Sequence, residues 1–316
     1  MHRFSFLAAS GLSFLLSATG VAAFELDHSA GTLKLDTPPA RIVTYDLGVL
    51  DSLQALEAGE VVGVPKSVYR GSLKPYQDTP VVGTLFEPDY PALEGLKPDL
   101  IFAGGRARAQ IPNLQKVAPT IEHVTDPGTF LDDFYKNSQS LAKAFDKEEN
   151  ARVLMDSIAS NVDALEQVNK GKTAVFLFVI RDNVIAHAPG DRFGYAYELA
   201  GLESVLPPSE AGSQPAAPRP EPGSDAAKAA QAERAKVIRQ VAKAEPDWLI
   251  VLDRGAINDG EKTAAATLST HADISQTRAF RQGKVYYADP NAWYIVTTGL
   301  NNLNQITADL LDVMQD

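Results

Sequence analysis

Three arginines each follow a short apolar run and stand on the loop beyond it. Arg106 comes after Asp99-Leu-Ile-Phe-Ala103, Arg192 lies within Gly190-Asp-Arg-Phe-Gly194, and Arg254 comes after Asp247-Trp-Leu-Ile-Val-Leu252. A guanidinium is permanently charged and presents a rigid fork of donors, so the chemistry open to such residues is capture of anionic oxygens. Any one of them alone is more often half of a surface ion pair. Three at equivalent places in successive strand-loop units, in a chain with 40 acidic and 29 basic side chains, read as one anion-binding group. Arg108 is a further candidate, because the first of these segments runs Gly-Gly-Arg-Ala-Arg. Downstream, Asp289-Pro-Asn-Ala-Trp-Tyr-Ile295 puts Trp293 and Tyr294 in a turn, where they either wall a pocket or cover core. Once deprotonated, the Tyr294 phenol suits a hard ion such as ferric iron.

Other chemistries find little support. The chain has no G-x-S-x-G elbow, no phosphate-cradling G-x-x-x-x-G-K-[ST] and no G-x-G-x-x-G after a first strand. It has no cysteine, which removes disulfides, thiolate metal sites, a cysteine nucleophile and a lipidated N-terminal cysteine. His28, His123, His187 and His271 are widely separated and none is assigned to a metal; His187 is the one nearest the argument, on the strand leading to Arg192. The net charge of −11 opposes a nucleic-acid partner, which would need a basic face.

The elements that must hold these residues alternate between strand and helix. Short β-rich runs at 41–45, 61–65, 99–103, 173–180, 247–252 and 284–287 are separated by helical patterns such as 48–58 and 224–244. Such alternation implies parallel sheets covered on both faces, in an α/β chain long enough for two domains. Two segments echo each other: Leu96-Lys-Pro-Asp-Leu-Ile-Phe-Ala-Gly-Gly-Arg106 and Ala244-Glu-Pro-Asp-Trp-Leu-Ile-Val-Leu-Asp-Arg254. In both, Pro-Asp marks a helix-to-strand turn and an arginine follows the aspartate by seven residues, at the carboxyl end of the strand, where open α/β sheets expose their ligand crevice. Two lobes presenting such ends to one another would place both arginines in one cleft. Between them, Leu131, Phe134, Leu141, Phe145, Leu154, Ile158, Val162 and Leu165 keep helical spacing apart from a break near Glu148. That pattern predicts a long bridging strut over 129–170, with two ordinary helices packed on one sheet as the alternative.

The ends complete the expected plan. A basic start, an apolar run over 4–16 and Val21-Ala-Ala23 predict a signal peptide over 1–23, and hence export to a periplasm with no lipid anchor. The N-terminal lobe is then expected over 24–128 and the C-terminal lobe over 171–316. The Pro-rich stretch 207–223 is expected to be an exposed loop.

Taken in order, Arg41-Ile-Val-Thr-Tyr-Asp-Leu-Gly-Val-Leu-Asp51, Val61-Val-Gly-Val-Pro65, Leu96-Lys-Pro-Asp-Leu-Ile101, Gly190-Asp-Arg-Phe-Gly194, Val251-Leu-Asp-Arg254 and Trp293-Tyr294 resemble the periplasmic iron-siderophore and cobalamin binding-protein family. The likeness is nearest to its branch for catecholate siderophores of the enterobactin and petrobactin type, and runs from about Lys34. It implies two Rossmann-like α/β lobes joined by one long helix, with the ligand in the cleft between them. It implies an Fe(III)-siderophore as ligand with no intrinsic cofactor, a monomer, and delivery to an inner-membrane ABC permease with its ATPase. It carries siderophore-contacting roles onto Arg106, Arg192 and Arg254 and an iron-ligating phenolate onto Tyr294.

Two departures from the family pattern stand out. The position where tetradentate-catecholate binders carry an iron-ligating histidine falls near Ala232, which favours a ligand supplying all six donors. The usual permease-docking glutamates fall at Pro91 and Arg239, leaving Glu87 or Glu94 as substitutes. A cobalamin or haem binder and a hydroxamate-siderophore binder share the fold class, and a periplasmic siderophore hydrolase or reductase is the enzymatic alternative. Neither of the first two ligand classes would need three arginines.

Overall fold

The computed structural model describes residues 24–209 and 220–315. The expected signal peptide and 210–219 of the Pro-rich stretch lie outside the described residues. The chain opens with a hairpin, β1 (Phe24–His28) and β2 (Gly31–Leu35). A parallel sheet follows, built from β3 (Ile42–Thr44), α1 (Leu47–Leu56), β4 (Val61–Gly63), α2 (Tyr90–Leu96), β5 (Leu100–Phe102), α3 (Ile111–Leu114) and β6 (Thr120–Ile121), with strand order β4-β3-β5-β6. Next come α4 (Phe130–Ala144) and α5 (Glu148–Val168).

The second sheet contains β7 (Thr173–Ile180) and β8 (Asn183–His187), followed by α6 (Tyr195–Ala200), β9 (Glu203–Ser204), α7 (Asp225–Ala244) and β10 (Trp248–Asp253). It continues through α8 (Ala264–Thr270), α9 (Arg278–Arg281) and β11 (Val285–Ala288), and the chain closes with α10 (Leu300–Met314). The strand order is β11-β10-β7-β8, with β9 beside β7. This mixed α/β architecture with two sheets agrees with the fold class read from the sequence. One feature differs: β8 runs antiparallel to β7, because Arg181 and Asp182 leave only a two-residue hairpin, too short for a crossover.

The internal echo has a physical cause. Lys97 and Glu245, which end α2 and α7, both take left-handed backbone conformations just before proline. The aspartate after each proline then seizes the start of a neighbouring strand. Asp99 accepts from the backbone N–H groups of Ala40 at 2.8 Å and Arg41 at 2.9 Å, and Asp247 accepts from Thr173 N–H at 2.9 Å. Each Pro-Asp pair thus sets the register of the strand whose far end carries an arginine.

The stretch expected as one bridging strut is two helices. At the end of α4, Asp146 enters the left-handed region at φ 56°, while Lys147 N–H bonds back to Ala142 O at 2.8 Å and Asp146 N–H to Lys143 O at 3.3 Å. This is a Schellman stop, and it lets Phe145 turn in to meet Phe24 edge-on at 5.1 Å. The longer helix, α5, packs on α10, α1, α4 and α6. Its Ile158, Val162 and Leu165 share one continuous core with Ile42, Leu100 and Phe102 of the first sheet, Phe176, Phe178, Ile250 and Leu252 of the second, and Leu303 and Ile306 of α10. Because strand side chains alternate, Val175, Leu177, Leu249 and Val251 face a separate core against α7 and α8. The two sheets are therefore joined through a shared apolar interior.

Candidate functional site

Tyr294 sits on a single π-helical turn, Ala292–Val296, between β11 and α10. Such turns are rare and concentrate at functional sites. Thr297 ends it at φ 34°, a conformation that β-branched residues seldom adopt. The carbonyls the turn leaves open are taken by side chains from elsewhere. Tyr195 Oη donates to Trp293 O at 2.7 Å, and Arg106 Nη2 donates to Tyr294 O at 2.6 Å.

Around the Tyr294 ring the three expected arginines converge. The guanidinium carbons of Arg192, Arg106 and Arg254 lie 4.5, 5.0 and 5.5 Å from the ring centroid. Arg106 is half-buried and stands on the short 3-10 turn Gly105–Gln110 after β5. Arg254 leaves β10 directly. The loop behind it is tied down by Asp253, whose carboxylate accepts from Gly255 N–H at 2.9 Å and Ala264 N–H at 2.7 Å.

Arg192 arrives by a different route from the other two. Since β8 is antiparallel, its carboxyl end points away from those of β7 and β10, and the chain must fold back over the sheet face. Asp191 organises that return, meeting His187 Nδ1 at 3.0 Å and accepting from Ala188 N–H at 2.9 Å. Phe193 then stacks on Phe176 and Phe178 with centroids 4.8 and 5.1 Å away, which leaves Arg192 projecting from the exposed side. Gly194 is obligatory here, because a Cβ would lie 2.5 Å from Gly190 N. The three arginines are therefore brought together, but only Arg106 and Arg254 by the strand-end rule. His187 belongs to the scaffold of the loop.

Charge shapes the cluster. Burial alone would raise the Tyr294 phenol, but Arg192, Arg106 and Arg254 outweigh it and hold the phenol below its ordinary range. Arg106 is itself pulled down by burial and by Arg192, and is partly supported by Tyr294 and by Asp46. Asp46 caps α1, accepting from Gly48 N–H at 2.9 Å, and is raised by burial against those bonds and the pull of Arg106. Beside the cluster opens a cavity of about 280 Å³ lined by Arg106, Arg192, Tyr294, Thr125 and Phe130. Its walls offer positive charge and aromatic surface, fitting a bulky anion with flat rings. Among the described residues no three His, Asp or Glu side chains gather as a metal site.

Two sequence candidates, Arg108 and Trp293, stand apart from the three arginines. Arg108 is engaged by Glu122, with Nε 2.7 Å from Oε1, and is not among the cations over Tyr294. Trp293 lines the same cavity as Tyr294 but has an accessibility of 0 % and packs against Tyr195 and Tyr286, so its indole supports the Tyr294 turn from within. Phe193 and Phe130, which sequence reasoning did not select, supply aromatic surface here; the former was signalled only by its place next to Arg192.

Two sheets share a core, and charged side chains from the loops of both converge on one cleft suited to holding an anionic solute. The sequence profile described as Periplasmic binding protein matches residues 42–292, and the chain belongs to that family. It is 26% identical over 290 residues to the petrobactin-binding protein YclQ of Bacillus subtilis, covering 89% of this chain and 84% of that one. It is 24% identical over 295 residues to the ferric-anguibactin-binding protein FatB of Vibrio anguillarum, covering 90% and 86%. The crystal structure of YclQ superposes with a TM-score of 0.78 at 23% identity over 93% of this chain and 99% of that one. The catecholate-siderophore binding protein VctP of Vibrio cholerae gives 0.74 at 24% over 92% and 99%. No helix of the described residues is long and apolar enough to cross a membrane.

Proposed function

We propose that this chain is the periplasmic solute-binding component of an ABC importer, and that it binds an anionic, catecholate-type ferric siderophore for iron uptake. One observation carries the reading: guanidinium groups from both sheets meet over a single phenol, all within 5.5 Å of its ring centroid. Ferric catecholates carry net negative charge delocalised over their oxygens, and each partly desolvated contact with arginine is worth about 1.5–3 kcal/mol. Flat catechol rings against Tyr294 and neighbouring aromatics add about 0.5–1.5 kcal/mol. The relatives named for binding petrobactin and ferric anguibactin, and the structural neighbour named for binding a catecholate siderophore, support this reading.

In this reading the siderophore fills the iron's coordination sphere and Arg106, Arg192 and Arg254 hold its oxyanions. Tyr294 ligates iron only if the ligand leaves a position open. The protein works as a monomer after signal-peptide removal, converts nothing, and hands its cargo to the permease and ATPase through exposed acidic residues such as Glu87 and Glu94. Trp293, enclosed beneath Tyr294, makes the test direct, because bound iron would quench its fluorescence. Titration with ferric bis-catecholate, tris-catecholate, mixed-catecholate and hydroxamate complexes should give tight quenching by a catecholate, with the siderophore recovered unaltered. Tight binding of cobalamin or haem and none of any catecholate would overturn the proposal.

A further inference from the structure

Asn302 lies in the first turn of α10, and its hydrogen bonds connect three places that matter to Tyr294. Its side-chain Nδ2 donates to Ala292 O at 3.0 Å and to Thr297 O at 3.2 Å. Ala292 begins the π-turn and Thr297 closes it, so one amide grips both ends of the segment carrying the phenol. Its backbone N–H donates to Asp51 Oδ2 at 2.9 Å.

Asp51 belongs to α1 and is wholly buried, and its other oxygen takes the Ser72 hydroxyl. Beside it, Ser52 Oγ accepts from Leu300 N–H at 3.2 Å, and Asn301 Nδ2 donates to Gln54 Oε1 at 2.8 Å. Gly299, the N-cap of α10, supplies no capping side chain, so the open N–H groups of this helix are satisfied from α1 instead. Gly299 also admits the contact, since a Cβ there would lie 2.3 Å from Asp51 Oδ2. The conformation of Thr297, unfavourable by itself, is where such restraint is needed.

We propose that Asn302 is a positioning residue for the binding cleft, clamping the Tyr294 turn at both ends and anchoring it through Asp51 to α1, so that the phenol stays where the three arginines converge. The consequence for ligand affinity rests on the siderophore-binding reading; the placement of the ring is a property of the free protein and is tested separately.

The test uses the full chain with Asn302→Asp, which preserves shape and backbone N–H but turns the clamp's donors into acceptors facing two carbonyls and places a second carboxylate beside Asp51. Asn302→Ala serves as a second variant should the first unfold. Tyrosinate absorption is followed through alkaline titration, with Tyr294→Phe in each background to isolate the Tyr294 signal. In the unaltered chain Tyr294 should ionise ahead of an ordinary phenol. In the folded variants its titration should move back toward that of an ordinary phenol, and ferric-catecholate affinity should fall about ten-fold. An unchanged Tyr294 titration in a cooperatively folded variant would refute the clamp whatever the ligand proves to be. Failure of every siderophore to bind the unaltered chain would refute the functional reading alone.

Discussion

Replacing Arg192 by glutamine removes the cation nearest Tyr294, 4.5 Å from its ring centroid, while keeping a polar side chain of similar reach. Arg192 is exposed, so its contact with an anion belongs at the low end of the range for charged hydrogen bonds, about 1.5 kcal/mol, which is about ten-fold in dissociation constant. The half-buried Arg106 belongs at the high end, about 2–3 kcal/mol, and its glutamine variant should lose about 30- to 150-fold. Fluorescence titration with an anionic ferric catecholate and with an uncharged ferric hydroxamate, each at low and high salt, separates charge from shape. Screening over about 8 Å at physiological ionic strength should weaken catecholate binding to the unaltered chain and affect the Arg192→Gln variant less. Hydroxamate binding, if measurable, should be indifferent to both changes. Equal losses for the two ligands, or a catecholate loss that does not respond to salt, would refute the charge argument.

Gly194→Ala forces a Cβ to within 2.5 Å of Gly190 N, so the Arg192 loop should open; melting temperature and catecholate affinity should both drop, and an unaltered affinity would show that the loop is dispensable. His123 lies against Phe102, and burial lowers its pKa from 6.5 to about 4. Its neutral form is the one the fold accepts, so its stabilising effect is complete above 6.5 and is lost as pH falls through about 4, amounting to at most about 3 kcal/mol. Urea unfolding of the unaltered chain and of His123→Phe at pH 7 and pH 4 should show the variant losing less on acidification; parallel losses would place the acid sensitivity elsewhere. With α1 capping α10 and one core joining both sheets, ligand should cause only a small hinge motion; a large fall in the radius of gyration by small-angle scattering would contradict this.

What could be read in advance was whatever depends on local pattern. Arg106 and Arg254 were legible because Pro-Asp, an apolar strand and a following loop fix where a side chain emerges on an α/β sheet. Arg192 belongs in the same company but reaches it by another geometry. Its strand runs antiparallel, a fact that the short connection at Arg181 and Asp182 signals, since no parallel crossover fits there. Trp293 and Tyr294 form a single aromatic pair in the sequence, and only the fold shows the first enclosed and the second half-buried among the arginines. Asn302 and Asp51 were not visible at all. They meet across 251 positions of the chain, and neither residue type nor spacing distinguishes them from ordinary helix polar groups.

Under the proposed function, the cluster also bears on how the ligand is released. Burial disfavours the charge on Arg106, and the neighbouring Arg192 adds to that cost; Tyr294 and the buried Asp46 offset part of it. An incoming anion therefore relieves a repulsion already built into the cleft, which strengthens binding beyond what isolated contacts would give. The three cations are not held alike. Arg106 is fixed by its bond to Tyr294 O, whereas Arg192 and Arg254 stand exposed on loops. Under the proposed function, Arg106 sets the ligand's place and the two exposed arginines supply contacts that solvent, or a docking partner, can reach. Dissociation then begins at the exposed pair. Truncating either should raise the off-rate with little effect on ligand orientation, while truncating Arg106 should alter both.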